Sequence, residues 1–166
     1  MAKKQEKTNA MRILDRLGIA YEAVSYPCEE FLDGVSVADL LGQPRAQVYK
    51  TLVTTGKSGA HYVFVLPVAE ELDRKKAAAA VGEKSLDLLH VKDLLGLTGY
   101  VRGGCTALGM KKQFPTVVDA SAREQDSIYV SGGRRGLQLK LPPDSLLQAC
   151  GGRYEDVLVS PQAQEE

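Results

Sequence analysis

The sequence has no tryptophan, two histidines and three cysteines in 166 residues, and neither charge sign is in surplus. Cys28, Cys105 and Cys150 are far apart and form no Cys-x-x-Cys pair. That argues against a disulfide framework and against a structural zinc site, so all three read as free thiols. His61 and His90 lie in no recognisable Ser-His-Asp or Cys-His pattern, and an ordinary nucleophile–base pair is not expected. Lysine plus arginine equals aspartate plus glutamate at 21 each. With no global field toward nucleic acid, any RNA contact has to come from a local basic surface. No apolar run approaches the roughly 18–20 residues of a membrane span. The charged start, Met1 to Lys7, leads into no signal-peptide core, so no membrane contact and a cytoplasmic location are expected. Neither a G-x-x-x-x-G-K-[ST] loop nor a G-x-G-x-x-G frame opening a helix occurs, so triphosphate and dinucleotide chemistry have no support. No metal and no cofactor are expected.

What is present is a chain 44% hydrophobic and 25% charged. That suits one domain spanning 1–166 with its own core, and flexible ends are predicted at 1–6 and 161–166. Thr8 or Asn9 is placed to cap a first helix in which Met11, Leu14 and Leu17 share a face, closed by Gly18. Ile19 to Tyr26 reads as extended. Ser36-Val37-Ala38-Asp39 has the form of a capping box opening a short helix that Gly42 stops. Val48 to Thr55 and His61 to Leu66 predict a hairpin turned by Gly56-Lys57-Ser58-Gly59. Asp73 caps an alanine-rich helix, Arg74 to Val81, and a short helix is predicted near Val91 to Leu95. Strands are expected at Tyr100-Val101, Thr116 to Asp119, Ile128 to Ser131 and Leu137 to Leu141. Pro142-Pro143-Asp144 opens a last helix ending at Gly151-Gly152, before an edge strand within Tyr154 to Val159. Several joints are too short for helical crossovers. The fold class is therefore α+β, a mixed and strongly curved sheet with helices outside it.

Three places break these local rules. In Val48-Tyr49-Lys50-Thr51-Leu52-Val53 both faces are apolar except for Lys50, and lysine is rarely buried in such a strand without a task. Pattern alone fits either an edge lysine reaching water or a cation aimed into a pocket. In Thr98 to Gly109, four glycines fall within eleven residues beside a strand signal. Such a loop is either an ordinary turn or a nest of amides able to stabilise a developing negative charge. Ser131-Gly132-Gly133-Arg134-Arg135-Gly136 is a hairpin turn. Its arginine pair, with Arg102 and Lys111-Lys112, is either solvated charge or a cationic rim for phosphates.

These stretches, taken in order, resemble the YbaK/EbsC family of aminoacyl-tRNA deacylases over roughly Lys7 to Val159. The similarity rests on Lys7-Thr8-Asn9-Ala10-Met11, Asp33-Gly34-Val35-Ser36-Val37-Ala38, Val48-Tyr49-Lys50-Thr51-Leu52-Val53, Thr98-Gly99-Tyr100 with Arg102-Gly103-Gly104-Cys105, Gly109-Met110-Lys111-Lys112 and Val130-Ser131-Gly132-Gly133. The resemblance implies the fold of the editing domain of prolyl-tRNA synthetases, a curved mixed sheet, partly barrel-like, with flanking helices, and the clearance of Cys-tRNA(Pro) in trans. It implies aminoacyl-tRNA as the substrate and prolyl-tRNA synthetase as a partner. Such an enzyme meets a chemical need, because a pocket shaped for proline rejects a similarly small cysteine by only a few kcal/mol. Lys50, with backbone amides of Gly103 and Gly104, would act on the ester. Tyr26, Thr51, Tyr100, Ser131, Gly132 and Gly133 would form the pocket. Arg102, Lys111, Lys112, Arg134 and Arg135 would meet the tRNA. Where relatives carry a G-x-x-x-P pattern, this chain has Ala107 and lacks the fixed φ of proline. The implied chemistry needs no protein nucleophile: the substrate's own thiol attacks its ester carbonyl and releases a cyclic thioester. A related deacylase for another small residue such as alanine, using water, and a non-catalytic module that grips tRNA or synthetase are the alternatives.

Overall fold

The computed structural model describes residues 7–28 and 30–160, so the ends predicted to be flexible lie outside the described residues. The chain begins with α1 (Asn9–Arg16), whose reciprocal cap follows from its first residues. Thr8 Oγ1 accepts from the Met11 N–H at 3.2 Å, and the Met11 sulfur takes the Thr8 N–H in return. Ala10, Met11 and Leu14 face the core. Leu17, expected on that face, is 45% exposed, because the helix stops at Arg16 and Leu17 is already its cap. After β1 (Glu22–Ser25), α2 (Gly34–Leu41) starts two residues before the predicted Ser36. The aspartate Asp33 takes the cap, its Oδ1 accepting from the Ser36 N–H at 2.7 Å, which makes Ser36 a donor within the first turn.

β2 (Tyr49–Gly56) and β3 (His61–Pro67) form the predicted hairpin. Asp73 caps α3 (Arg74–Val81) as expected, with its Oδ1 accepting from the Lys75 and Lys76 amides. A three-residue strand that the sequence pattern does not announce, β4 (Leu86–Leu88), is too short to show alternation. α4 (Val91–Thr98) runs one turn beyond prediction. Tyr100-Val101 is loop rather than strand, because the Tyr100 N–H donates to Thr98 Oγ1 at 3.0 Å instead of joining a ladder. β5 (Thr116–Asp119), β6 (Ile128–Ser131), β7 (Leu137–Leu141), α5 (Pro143–Cys150) and β8 (Arg153–Glu155) complete the order.

The α+β reading holds, with the strands divided between two sheets. One is antiparallel, in the order β1-β7-β6; the other is mixed, in the order β4-β2-β3-β5-β8. A single parallel bridge, Val48 to Tyr129, joins them, and the sheets do not close into a barrel. The larger sheet is apolar on both faces because both are covered. Tyr49, Val53, Val63 and Val65 meet α1 and the smaller sheet, while Phe64, Leu66 and Val117 meet Ala77 and Ala78 of α3. Each fully buried Val, Leu or Phe contributes roughly 1.5–3 kcal/mol by leaving water. Among the described residues, no helix is long and apolar enough to cross a membrane.

Candidate functional site

Where the two sheets meet, a cleft of about 470 Å³ opens between the start of α2, the start of β2, the glycine-rich loop and the β6–β7 pair. That size suits a small-molecule or nucleotide-end ligand. β2 carries Lys50 into it, paired in register with Leu66. Its Nζ donates to the carbonyls of Glu70 at 2.8 Å and Val68 at 3.3 Å. An ammonium has three donors, so one N–H remains for a ligand. Burial lowers the Lys50 pKa from its ordinary 10.5, against the raising charges of Glu71 and Glu70. Gly34 makes this arrangement possible: a Cβ there would sit 2.4 Å from Val68 Cγ1, so only a glycine lets α2 close over the strand end that holds the lysine.

The glycine-rich loop forms the facing wall. Gly103 has φ +89°, a conformation that L side chains rarely adopt, and a Cβ there would meet the Phe31 ring at 3.1 Å. The Gly104 N–H donates to Val101 O at 2.9 Å and closes a turn, while the Gly103 N–H has no acceptor among the described residues. Of the two amides expected to face an oxyanion, Gly103's is therefore the one left to do so, and Gly104 does not line the cleft. Ala107, the residue that departs from the G-x-x-x-P pattern, is 1% exposed in the main core. Tyr100 ties the loop across its span, its hydroxyl donating to Leu108 O at 2.5 Å. Tyr100 is thus a buried strut, its phenol pushed up to about 12 by burial, rather than a wall of the cleft.

Tyr26, Thr51 and Ser131 do line the cleft. Tyr26 is pinned by its N–H, which donates to Gly136 O at 2.9 Å. Gly132 and Gly133 lie behind the wall and build the turn. The Gly132 N–H donates to Leu137 O, and the Gly133 N–H donates to Ser131 Oγ. Arg102 and Arg135 come together at the mouth, with Arg135 Nε donating to Arg102 O at 2.7 Å. Arg134 packs its backbone against Gly104. Lys111 and Lys112 are exposed and line no part of the cleft; Lys111 Nζ donates to Gly96 O on α4.

Three of the lining residues that the sequence did not single out for the site bear on its chemistry. Phe31 sits beneath the two mouth arginines, with Arg102 Cζ 4.0 Å and Arg135 Cζ 5.7 Å from its ring centroid. Cys105 is 8% exposed, and burial pushes its thiol up to about 12, so it stays protonated at neutral pH. Gln138 is the third. It lies between Val24 and Ser131 in the three-stranded sheet, is 5% exposed, and its Oε1 has no hydrogen-bond partner. In Leu137-Gln138-Leu139-Lys140-Leu141 the alternation reads as polar residues facing solvent, so its one available signal points the wrong way. His61 and His90 line a separate hollow with Asp87 and Asp93, where His61 Nδ1 is 3.2 Å from Thr55 Oγ1. Among the described residues, no group of three His, Cys, Asp or Glu is placed to hold a metal ion. The cleft therefore offers a cation, a free amide and a buried acceptor, while its own thiol is held in the unreactive form. Such a set can orient a substrate and stabilise developing charge.

The model of the aminoacyl-tRNA editing domain family matches residues 30–149. A protein of Enterococcus faecalis named as a Cys-tRNA(Pro)/Cys-tRNA(Cys) deacylase, EbsC, is 43% identical over 160 residues, which covers 95% of this chain and 98% of that one. Among solved structures, one described as a trans-editing enzyme for prolyl-tRNA synthetase superposes with a TM-score of 0.81 at 24% identity, covering 94% of this chain and all of its own. The hypothetical protein APE2540 superposes with a TM-score of 0.82 at 24% identity, covering 92% and 100%. These two likenesses bear on the fold. On the family match and the EbsC relationship, the chain belongs to the aminoacyl-tRNA editing domain family.

Proposed function

We propose that this protein is a trans-editing deacylase that clears Cys-tRNA(Pro), and that the thiol performing the chemistry is the substrate's. The observation that carries the reading is a cleft rich in charge-holding groups in which the one thiol, Cys105, is buried and kept protonated. The substrate's sulfur attacks its own ester carbonyl carbon, the bond from that carbon to the ribose oxygen breaks, and the ribose oxygen takes the thiol's proton. The products are a cyclic thioester and free tRNA. The protein supplies a held conformation and charge stabilisation. The Gly103 N–H donates to the developing oxyanion, and the remaining N–H of Lys50 donates to it or to the ribose. Gln138 Oε1 accepts from the α-ammonium, which gives the buried oxygen the partner it otherwise lacks. The relative's name, which pairs tRNA(Pro) and tRNA(Cys), supports the same substrate class.

Zero formal net charge favours weak tRNA binding by the chain alone, with prolyl-tRNA synthetase as the partner that delivers the substrate in the cytoplasm. The test is a deacylation panel over Cys-, Ala- and Pro-tRNA(Pro) and Cys-tRNA(Cys), with a thiol-free isostere of cysteine on tRNA(Pro). Cleavage of both cysteine esters and survival of the isostere are expected. Cleavage of the isostere or of Ala-tRNA(Pro) at a comparable rate would establish a water-based deacylase instead, and protection of every ester would establish a binding module.

A further inference from the structure

Charge is unevenly placed along this chain, although its two signs balance overall. No acidic residue lies between Asp93 and Asp119 or between Asp126 and Asp144. The charges in those stretches, Arg102, Lys111, Lys112, Arg134, Arg135 and Lys140, are all positive. α1 adds Arg12 and Arg16, and its one carboxylate, Asp15, is taken by Lys7. The fold then seats these segments on one another. α1 rests on the far end of the glycine-rich loop, where a Cβ on Gly109 would stand 3.0 Å from Asn9 Cβ and 3.3 Å from Ile13 Cδ1. Its start rests on the β6–β7 turn, where a Cβ on Gly133 would stand 3.2 Å from Thr8 Cβ. Loop and turn meet at the cleft mouth through Arg102 and Arg135, so α1 continues a basic face outward from the cleft. Between α1 and the loop lies a separate hollow of about 420 Å³, lined by Asn9, Arg12, Ile13, Arg16 and Gly109. Arg12 and Arg16 are one turn apart on the same side of the helix, about 6 Å along its axis. Both are exposed, and neither has an acidic partner among the described residues. Gly109, at φ +78° and with Tyr100 Oη 2.9 Å from where its Cβ would stand, has to lack a side chain, so the floor of the hollow is bare backbone beside Ile13.

A bare floor with two free guanidinium groups and one amide on its rim suits a sugar–phosphate backbone. The ribose lies on the floor, the phosphates meet the arginines, and the Asn9 amide can reach a 2′-hydroxyl. We propose that this α1 face holds the backbone of the double-helical stem adjoining the esterified 3′ end, with Arg12 and Arg16 each meeting one phosphate. The proposal rests on the deacylase reading for the identity of the RNA. It gives a chain of zero net charge a local RNA surface, and one indifferent to stem sequence, because phosphates carry no base identity.

The experiment pairs a protein change with an RNA change. Binding is measured by fluorescence anisotropy over a range of salt on two uncharged RNAs, an acceptor-stem hairpin with a single-stranded 3′ end and that 3′ single strand without its stem. Arg12→Ala with Arg16→Ala removes both charges from exposed helix positions that alanine suits. Arg12→Lys with Arg16→Lys keeps them. For the hairpin, the alanine pair should make the slope of log K against log salt shallower by about two units, and the lysine pair should leave it unchanged. The single strand should bind all three proteins alike. With the hairpin charged with cysteine, kcat/KM of the alanine pair should fall in proportion to its binding constant. An unchanged hairpin slope for the alanine pair would overturn the proposal; if that protein also lost an association with prolyl-tRNA synthetase, the face would be a protein-docking surface instead. Equal losses on hairpin and single strand would overturn it too, since the arginines would then act as a diffuse field and not on the stem. A two-unit loss confined to the hairpin, with no cysteine ester cleaved by the unaltered protein, would defeat the deacylase reading and leave the RNA face standing. Normal cleavage with an unchanged slope would do the reverse.

Discussion

Gly104 lies against the backbone of Arg134, so close that a Cβ on the glycine would stand 2.9 Å from the arginine Cα. The glycine-rich loop and the β6–β7 turn are therefore seated on one another backbone to backbone, and the position of the Gly103 peptide depends on the turn. Gly104→Ala has to push the two apart. An overpacked site of this kind loses about 1–3 kcal/mol of stability. Deacylation should fall by more than the unfolded fraction explains, because the Gly103 amide moves with the loop. Urea denaturation and single-turnover cleavage on the same sample check this; full activity in the variant would show that the seating of the loop does not matter.

Lys50→Ala should cripple deacylation while leaving the fold intact. Two of the lysine's three N–H groups are held by Glu70 O and Val68 O, so the third has a set direction. Removing one such preorganised donor lowers the rate by roughly 10²–10³. Rates within twofold of the unaltered protein, measured with enzyme in excess, would remove Lys50 from the mechanism.

Gln138→Leu should move activity and stability in opposite directions. The buried oxygen lacks a partner, and leaving such a group unsatisfied costs about 1–3 kcal/mol, so an apolar side chain of similar size should raise the urea midpoint. The same change deletes the proposed acceptor for the α-ammonium. We expect kcat/KM on Cys-tRNA(Pro) to drop about tenfold or more, as for a hydrogen bond to a charged group. N-acetyl-Cys-tRNA(Pro), which has no ammonium, should be cleaved equally by both proteins. An equal drop on the acetylated substrate would mean that Gln138 only shapes the cleft.

The buried thiols predict a definite pH profile of stability. Cys105 and Cys150 have folded values of about 12 and about 11 against an ordinary 9.0, in both cases chiefly because burial penalises the thiolate. The folded chain therefore keeps protons that the unfolded chain releases. The resulting stabilisation is complete below pH 9 and is lost as pH rises through about 11 and 12, at up to about 1.4 kcal/mol per pH unit for each thiol. Lys50 works in the opposite sense, since its lowered value makes the unfolded chain the better proton binder below 10.5. Denaturation midpoints between pH 7 and 10.5 should fall at the alkaline end, and less steeply for Cys105→Ala with Cys150→Ala. That double variant should still deacylate; its complete inactivation with the fold retained would mean that a protein nucleophile had been overlooked.

Arg135→Ala should weaken RNA binding without discriminating between tRNAs, and should lower the salt slope by about one unit. The guanidinium stands at the cleft mouth and supports Arg102. Lys111→Ala should leave cleavage of a short charged hairpin unchanged, because its Nζ is directed to Gly96 O on α4. Measured slopes of log K against log salt separate the two; a larger change from Lys111 would relocate the RNA path to α4.

Local chemistry was enough to read much of this protein from its residues. Asp73 capping α3, the Gly56-Lys57-Ser58-Gly59 hairpin and the proline start of α5 are effects of neighbours in sequence, and the structure has them where they were expected. Lys50 stood out because a cation between apolar neighbours violates the two-residue alternation of a strand, a rule that operates within one strand. Tertiary structure decided what alternation cannot express. Gln138 and Lys140 occupy equivalent positions on one strand. β1 and β6 flank both, yet Gln138 is buried where it lines the cleft, while Lys140 remains partly exposed. Tyr100 carried the signal of a pocket residue and became a strut, because its hydroxyl found the carbonyl of Leu108 within the core. Phe31 became a site residue only when Arg102 and Arg135, brought from two distant loops, reached its ring. Propensities, caps and face patterns depend on residues a few positions apart, so the sequence determines them alone. Which polar group is buried without a partner, and which guanidinium meets which ring, depends on segments a hundred residues apart, and only the packed chain brings those together.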